Sequence, residues 1–381
     1  MIELKGIAWD HPRGYEPLRA ASQVFSNHYP NISIKWDIRS LKEFGDTPIE
    51  DLIDAYDFIT VDHPYMGQAA KDELLLPLNK NISNSILEAL ADQYVGPSFQ
   101  SYQYNEHLYA LPIDAAALVA AYRADLLKNL GLCPPQTRTE LKKFYKEIPN
   151  GYSVAWPLCA TDLWCSFLTL CAQDGGHDFI KDNKIDENLG SSVLDELKYH
   201  LEYLHPKSIQ WNPIQVLDQM GQEEKIIYSP YLFGYTNYGR KGYSKHRLDF
   251  SNSPINAKNN ISTILGGVGL AISSKCSHVS EALKYLDYVT NANTQKGLYT
   301  KNAGQPAGLE AWENKENNIL CNNFFKNTMK TMNSVYVRPQ YPGWNLFQEQ
   351  GAELLHKGLQ KDIPSNKLIR KLNELATDLF L

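Results

Sequence analysis

Two Asp-His pairs are the residues best suited to chemistry. The first stands in Trp9-Asp10-His11-Pro12-Arg13-Gly14 and the second is Asp62-His63; each follows an apolar run that reads as a strand. In an open α/β sheet, ligands sit outside the carboxyl ends of the strands. Two carboxylates and two imidazoles meeting there could hold a metal ion or act as general acid and base. A dedicated metal site takes three or four protein ligands. The pairs therefore fit hydrogen bonding to neighbouring loops or to a polar ligand better, and neither a metal nor a cofactor is expected. The motifs GxSxG, HExxH, GxxxxGK(S/T) and GxGxxG are absent, which removes the families that carry them. Gly266-Gly267-Val268-Gly269 is glycine-rich but lacks the P-loop lysine; it reads as close backbone packing or a hinge. No catalytic residue is expected.

Aromatic residues are the second resource. The chain has 23 Tyr, 13 Phe and 7 Trp, and Tyr and Trp pair a flat apolar face with a hydrogen-bonding edge. Trp156, Trp164, Tyr231, Phe233, Tyr235, Tyr238, Tyr243 and Trp344 recur where a second lobe would face the first. Trp156-Pro157 and Trp344, in PGWN, sit in turn contexts, where functional side chains concentrate. Arg240-Lys241 reads as a solvated pair, with carboxylate or phosphate binding as the sharper alternative.

These residues need a scaffold of alternating strands and helices. Lys5 to Trp9 reads as a strand, and Pro17 is predicted to open a helix with Leu18, Ala21 and Phe25 on one face. Ile32, Ile34, Trp36 and Ile38 alternate as in a half-buried strand, and Asp57 to Val61 reads as a buried one. Gly131 and Pro134-Pro135 stop a helix, and Thr137 with Glu140 has capping-box spacing for the next. Asp162 is predicted to cap a helix that ends at Gly175-Gly176. From Val279 onward the pattern is mostly helical, closing with Leu368, Leu372, Leu375 and Leu379 on one stripe. Strands and helices in alternation indicate an α/β sandwich.

Composition narrows the class. In 381 residues, 37 Lys plus Arg against 43 Asp plus Glu give a formal charge of −6, which argues against a nucleic-acid binder or a polybasic membrane-surface protein. The longest mostly apolar stretch, Leu108 to Tyr122, is broken by Pro112 and Asp114 and is too short to span a bilayer. The six cysteines form no CxxC pair and fit reduced thiols. Met1 runs directly into the first strand without the layout of a leader. The protein is thus expected in the periplasm or at the cell surface if a leader was removed, and in the cytoplasm if Met1 is the native start.

The chain resembles the family 1 extracellular solute-binding proteins, the maltose-binding-protein-like receptors of ABC transporters. Tyr56-Asp-Phe-Ile-Thr-Val-Asp62 with Leu74 to Leu78 is similar to that family's strand, ligand loop and following turn. His107-Leu-Tyr-Ala-Leu-Pro112, Tyr122-Arg-Ala-Asp-Leu-Leu127 and Gly131 resemble its crossing into a second lobe. Gly266 to Ser273, Glu281 to Leu286, Gln295 and Gly304-Gln-Pro306 resemble the return.

The resemblance implies a periplasmic-binding-protein type II fold: two α/β lobes with hinge crossings near 111–115 and 263–267, and a helical C-terminal segment. Lobe 1 is expected at 1–112 plus 265–310, and lobe 2 at 113–264 plus 311–381. The ligand site is expected between them, with Trp9, Asp10, His11 and Arg13 from the first loop, Asp62 and His63 from the second, and Asp114 from the first crossing. Trp156, Tyr231 and Trp344 would be stacking platforms. The function implied is a non-catalytic, monomeric receptor for a sugar or sugar acid, serving an ABC transporter permease, without nucleic acid and without a membrane span. The charge of WDHPRG and the plain N-terminus carry a second reading, a cytoplasmic enzyme or metabolite sensor on a small carboxylate. A protein-interaction module built on surface tyrosines is a third.

Overall fold

A computed structural model describes residues 1–46, 48–223, 225–256 and 258–380. The strands that organise it are β1 (Ile2–Trp9), β2 (Ile32–Arg39), β3 (Phe58–Val61), β4 (Ala110–Tyr122), β5 (Ser153–Val154), β6 (Ile226–Phe233), β7 (Asp249–Ser251) and β8 (Leu265–Ile272). They form one sheet in the order β2-β1-β3-β8-β4-β6-β5, with β7 paired to β4 off that path. β1 runs parallel to β2 and β3, while β8 is antiparallel to both β3 and β4. The α/β class read from alternating periods is the observed one.

β4 carries the chain from one half of the sheet to the other. Its residues up to Ala117 pair with β8, and from Leu118 onward it pairs with β6 and β7. Buried along nearly its whole length, it is the apolar stretch that Pro112 and Asp114 interrupt without ending. Pro112 is accommodated where the β4–β8 register shifts, opposite Val268 and Gly269. Gly267, with φ +124°, lies so close to β4 that a Cβ would sit 2.5 Å from the Asp114 carbonyl oxygen. Backbone packing, and no phosphate cradle, is the use of this glycine run.

Two apolar clusters flank the crossing. One gathers Leu4, Phe25, Phe58 and Tyr285 around the first strands and helices 12–28 and 279–290. The other gathers Trp164, Leu194, Leu355 and Leu372 from helices 160–175, 187–201, 344–360 and 365–380. The Thr137–Glu140 capping box is present, and Gly131 closes its helix in the left-handed region.

Two helix starts differ from expectation, and both matter below. The first helix begins at Pro12, five residues ahead of Pro17. Pro12 occupies the first turn, where its missing N–H costs nothing, and the Nδ1 of His11 caps the helix by accepting from the Arg13 N–H at 3.0 Å. Arg13 is therefore a helix residue with a fixed direction. The helix expected to start at Asp162 begins at Ala160, with Cys159 as the cap residue. Asp162 lies in its first turn, accepting from the Cys159 thiol at 3.0 Å.

Candidate functional site: a polar seam between the two halves

Arg13 reaches from the first helix across the sheet's midline. Its Nε and Nη2 donate to the two oxygens of Asp114 at 2.7 and 2.5 Å, and its Nη1 donates to the Gly234 carbonyl at 2.8 Å. The guanidinium also lies 4.6 Å from the Tyr235 ring centroid. Both charges are buried. Burial pushes the Asp114 carboxyl up and Arg13 opposes it; the forked geometry is what makes such a pair tolerable away from water. His11 packs edge-on to Tyr235 at 4.7 Å, and its Nε2 lies 3.4 Å from the Tyr243 hydroxyl. Burial, and then Arg13, pull the His11 imidazole down to about 3, so it is neutral at ordinary pH.

A second cluster forms where the segment before helix 344–360 meets the loop after β3. The Arg338 Nη2 donates to Asp62 Oδ2 at 2.6 Å, while Asp62 Oδ1 accepts from the His63 N–H at 2.9 Å and faces its Nδ1 at 3.1 Å. Burial works against the Asp62 charge, but Arg338 and His63 together hold its carboxyl well below the usual range. His63 is itself lowered by burial and by Arg338. The Gln340 amide donates to the His63 carbonyl at 3.2 Å and to the Ser101 carbonyl, and the Gly343 N–H donates to Gln68 at 3.2 Å. Contact is close enough that a Cβ on Gly67 would lie 1.8 Å from the Gln340 carbonyl oxygen.

The two clusters belong to one seam. Burial pushes the Tyr235 phenol up to about 12, with Arg13 opposing and the charges of Asp114 and Asp162 adding to the rise. Burial likewise raises the Cys165 thiol to about 12, and this side chain feels Arg338, Asp162 and Asp62 together. Two buried polar atoms of the second cluster have no hydrogen-bond partner, His63 Nε2 and Arg338 Nε; the indole nitrogens of Trp164 and Trp344, which pack on each other in the second apolar cluster, are unpartnered as well. Each costs about 1–3 kcal/mol of desolvation while unpaired, which a polar ligand could recover. Asp162, 7% exposed, has the Cys159 thiol as its hydrogen-bond partner, and burial raises its carboxyl to about 7. Buried donors and acceptors on these facing segments, with a pair of indoles in the adjoining half, suit a hydroxyl-bearing solute.

The structure brings His11, Arg13, Asp62, His63, Asp114 and Trp344 to this seam. It leaves four expected residues elsewhere. Trp9 is buried in the first half against Phe44, ring centroids 5.5 Å apart. Asp10 is exposed, its backbone N–H bonded to the Arg39 carbonyl. Trp156 and Tyr231 pack on each other at 4.7 Å, with the Trp156 Nε1 donating to Ser166 and the Tyr231 hydroxyl donating to the Pro254 carbonyl. Both lie in the interior with their polar ends satisfied inside the fold. Arg240 binds the carbonyls of Thr300 and Gly304 and is no solvated loop charge.

Sequence reasoning misses Arg338, and it reads Asp162 as a cap. The signal for Arg338 is present in Val335-Tyr-Val-Arg338-Pro-Gln-Tyr-Pro-Gly-Trp344: a β-branched run ended by Arg-Pro, the same strand-end logic that selects Asp62. Among the described residues no group of three or more His, Cys, Asp or Glu side chains is placed to hold a metal ion. No helix among them is long and apolar enough to cross a membrane.

Comparison with known proteins gives this geometry a family. The model of the bacterial extracellular solute-binding protein family matches residues 15–296. A curated relative, the multiple sugar-binding protein of Streptococcus mutans, is 24% identical over 236 residues, covering 58% of this chain and 56% of that protein. The chain thus spans little more than half the length of that relative. Among solved structures, maltose-bound MalE3 of T. maritima superposes over 100% of both chains with a TM-score of 0.85 at 17% identity. A solute-binding protein from Thermotoga lettingae bound with α-D-tagatose does so at 0.83 and 16%, again over 100% of both chains. These two show the shared fold, the type II periplasmic-binding-protein arrangement expected from the sequence. The chain belongs to the bacterial extracellular solute-binding protein family.

Proposed function

We propose that this protein is a non-catalytic receptor of an ABC transport system that binds a small polyhydroxylated solute in the seam. Asp62, His63, Asp162, Arg338 and Trp344 would make the contacts, with Arg13 and Asp114 bracing the crossing. The lobes would be 1–112 with 265–310 and 113–264 with 311–381, moving about β4 and β8 so that the seam opens and closes. The solute would be captured outside the cytoplasmic membrane and handed to a permease, in keeping with the family.

The observation that carries this reading is the set of buried, unpartnered polar atoms, His63 Nε2, Arg338 Nε and the Trp344 indole N–H, on the segments 62–63 and 338–344, which hydrogen-bond to each other through Arg338 and Gln340. The relative named as a sugar-binding protein and the sugar-bound structures support it. A sugar acid or other carboxylate is less well served. Arg13 and Arg338 each already have an aspartate as counter-ion, so neither carries an uncompensated charge for an anion.

A thermal-shift panel of sugars, polyols, their amino derivatives, sugar acids and small carboxylates tests the reading. A ligand at 100 times its dissociation constant stabilises the fold by about 2.7 kcal/mol, several degrees in melting temperature. Hits among hydroxyl-rich compounds are expected. Hits confined to carboxylates, with turnover, would replace this reading with the enzyme or sensor alternative.

A further inference from the structure

The sheet ends differently on its two sides. At one end β5 is two residues long, and the chain closes its edge: Leu204 bridges Val154, and the His205 N–H donates to the Val154 carbonyl at 2.8 Å. At the other end β2 runs for eight residues, all of them paired on one side with β1. The Asn31 and Arg39 carbonyls accept from the Ile2 and Asp10 N–H groups at 2.7 Å, so odd-numbered positions turn their backbone groups toward β1. Successive residues of a strand alternate, and the backbone groups of Ile34, Trp36 and Ile38 therefore point outward. Among the described residues only Arg19 reaches them, its Nη2 lying 3.4 Å from the Trp36 carbonyl oxygen. A cleft between the first helix and this strand, lined by Arg19, Gln23, Ser26, Ile34 and Trp36, keeps the edge clear.

A long open edge is a template for another strand, and the residues along this one match a second copy of it. Antiparallel pairing about a two-fold axis at Trp36 brings the outward groups of Ile34, Trp36 and Ile38 to those of Ile38, Trp36 and Ile34. The same register sets Lys35 of one copy opposite Asp37 of the other, twice. Both side chains are exposed, and each keeps one partner in its own chain, Glu3 for Lys35 and the Tyr56 hydroxyl for Asp37. Residues opposite each other between the hydrogen-bonded pairs lie closest, Cα atoms about 4.5 Å apart. Opposite charges there support a ladder and like charges oppose it. Moving the axis by one residue sets Lys35 against Lys35, or Asp37 against Asp37. The register also covers part of Ile38, a large apolar side chain 41% exposed.

We propose that β2 is a homodimer interface, joining two eight-stranded sheets edge to edge in this register. The inference departs from the monomer implied by the family resemblance, and it does not depend on where the solute sits.

Sedimentation equilibrium of the whole protein tests it. One chain has a mass of 43.3 kDa, and a species of twice that mass is expected, dissociating on dilution. Lys35→Asp and Asp37→Lys each set like charges opposite one another and should weaken the dimer by roughly tenfold. An equimolar mixture of the two variants should recover it, because every facing pair is then opposite in sign. Ile38→Pro removes an outward N–H that the monomer does not use, and should leave a folded monomer. The mass of a single chain at the highest soluble concentration overturns the proposal and leaves the edge to an extended partner of another kind. A dimer indifferent to these substitutions, or one that the mixture fails to restore, has its interface elsewhere and overturns the proposal as well.

Discussion

Trp156 and Trp344 are equally buried, both 0% exposed, yet they differ in what their indole nitrogens meet. Trp156 donates to Ser166 at 2.8 Å and is closed off by Tyr231 and His200. Trp344 has no partner for its N–H and stands at the start of a helix whose preceding residues reach into the other half of the molecule. The buried arginines divide in the same way. Arg138 binds Asp174 and Glu196 inside the second half, whereas Arg338 binds Asp62 across the seam. Burial does not distinguish a core from a site; polar satisfaction and the element that supplies the partner do.

The arginines give the largest expected effects. Arg138→Met leaves Asp174 and Glu196 without their guanidinium, and Arg338→Met does the same to Asp62; each should lose about 3–5 kcal/mol in urea unfolding, the usual cost of orphaning a buried charge. The comparison predicts a split beyond that: the folded Arg138→Met protein keeps its solute affinity, and Arg338→Met does not. Equal affinity in both would erase the distinction between core and seam.

Next in size is the pH dependence that Asp162 contributes. Burial raises its carboxyl from 3.8 to about 7. Between those values the folded protein holds a proton that the unfolded chain has released, so stability is full below pH 4 and falls as pH rises through 7. At about 1.4 kcal/mol for each pH unit in that window, the contribution is on the order of 2–4 kcal/mol, measurable as denaturation midpoints across pH. Asp162→Asn should flatten this limb. Asp62 acts in the opposite direction: its lowered carboxyl stabilises the fold above the usual carboxylate range and loses that contribution as pH falls through acid.

Gly67→Ala sharpens the seam further. The added carbon would collide with the Gln340 carbonyl and hold the halves apart, reducing the closed population on which affinity depends. A loss on the order of 100-fold in affinity, with a larger radius of gyration by X-ray scattering, is expected; unchanged affinity would mean that closure is not needed. The smallest effect separates the two tryptophans. Trp156→Phe orphans the Ser166 hydroxyl and should cost about 1–2 kcal/mol. Trp344→Phe removes an N–H that is already unpaired, and should leave stability of the free protein nearly unchanged while weakening solute binding.

Much of this is legible in the residues. Period-2 and period-3.6 patterns indicate the α/β scaffold, and strand-end logic selects Asp62, His63 and Arg13. The rest depends on long-range packing that local patterns do not encode. Arg13 and Asp114 are 101 positions apart, and Arg338 lies 276 from Asp62; nothing in either neighbourhood announces the pairing. Trp156 and Tyr231 mislead because turn context and aromatic character are shared by platforms and core residues alike. Asp162 passes for a cap because an aspartate two residues inside a helix start looks the same in sequence as one at the start.

The central claim is that the solute sits in the seam. Diffraction from crystals grown with the tightest-binding compound of the thermal-shift panel tests it most directly. Solute density is predicted between Asp62, Asp162, Arg338 and Trp344, with the His63 Nε2 and the Trp344 indole N–H acquiring partners. Density on an outer face, with those two groups still unpaired, would contradict the account.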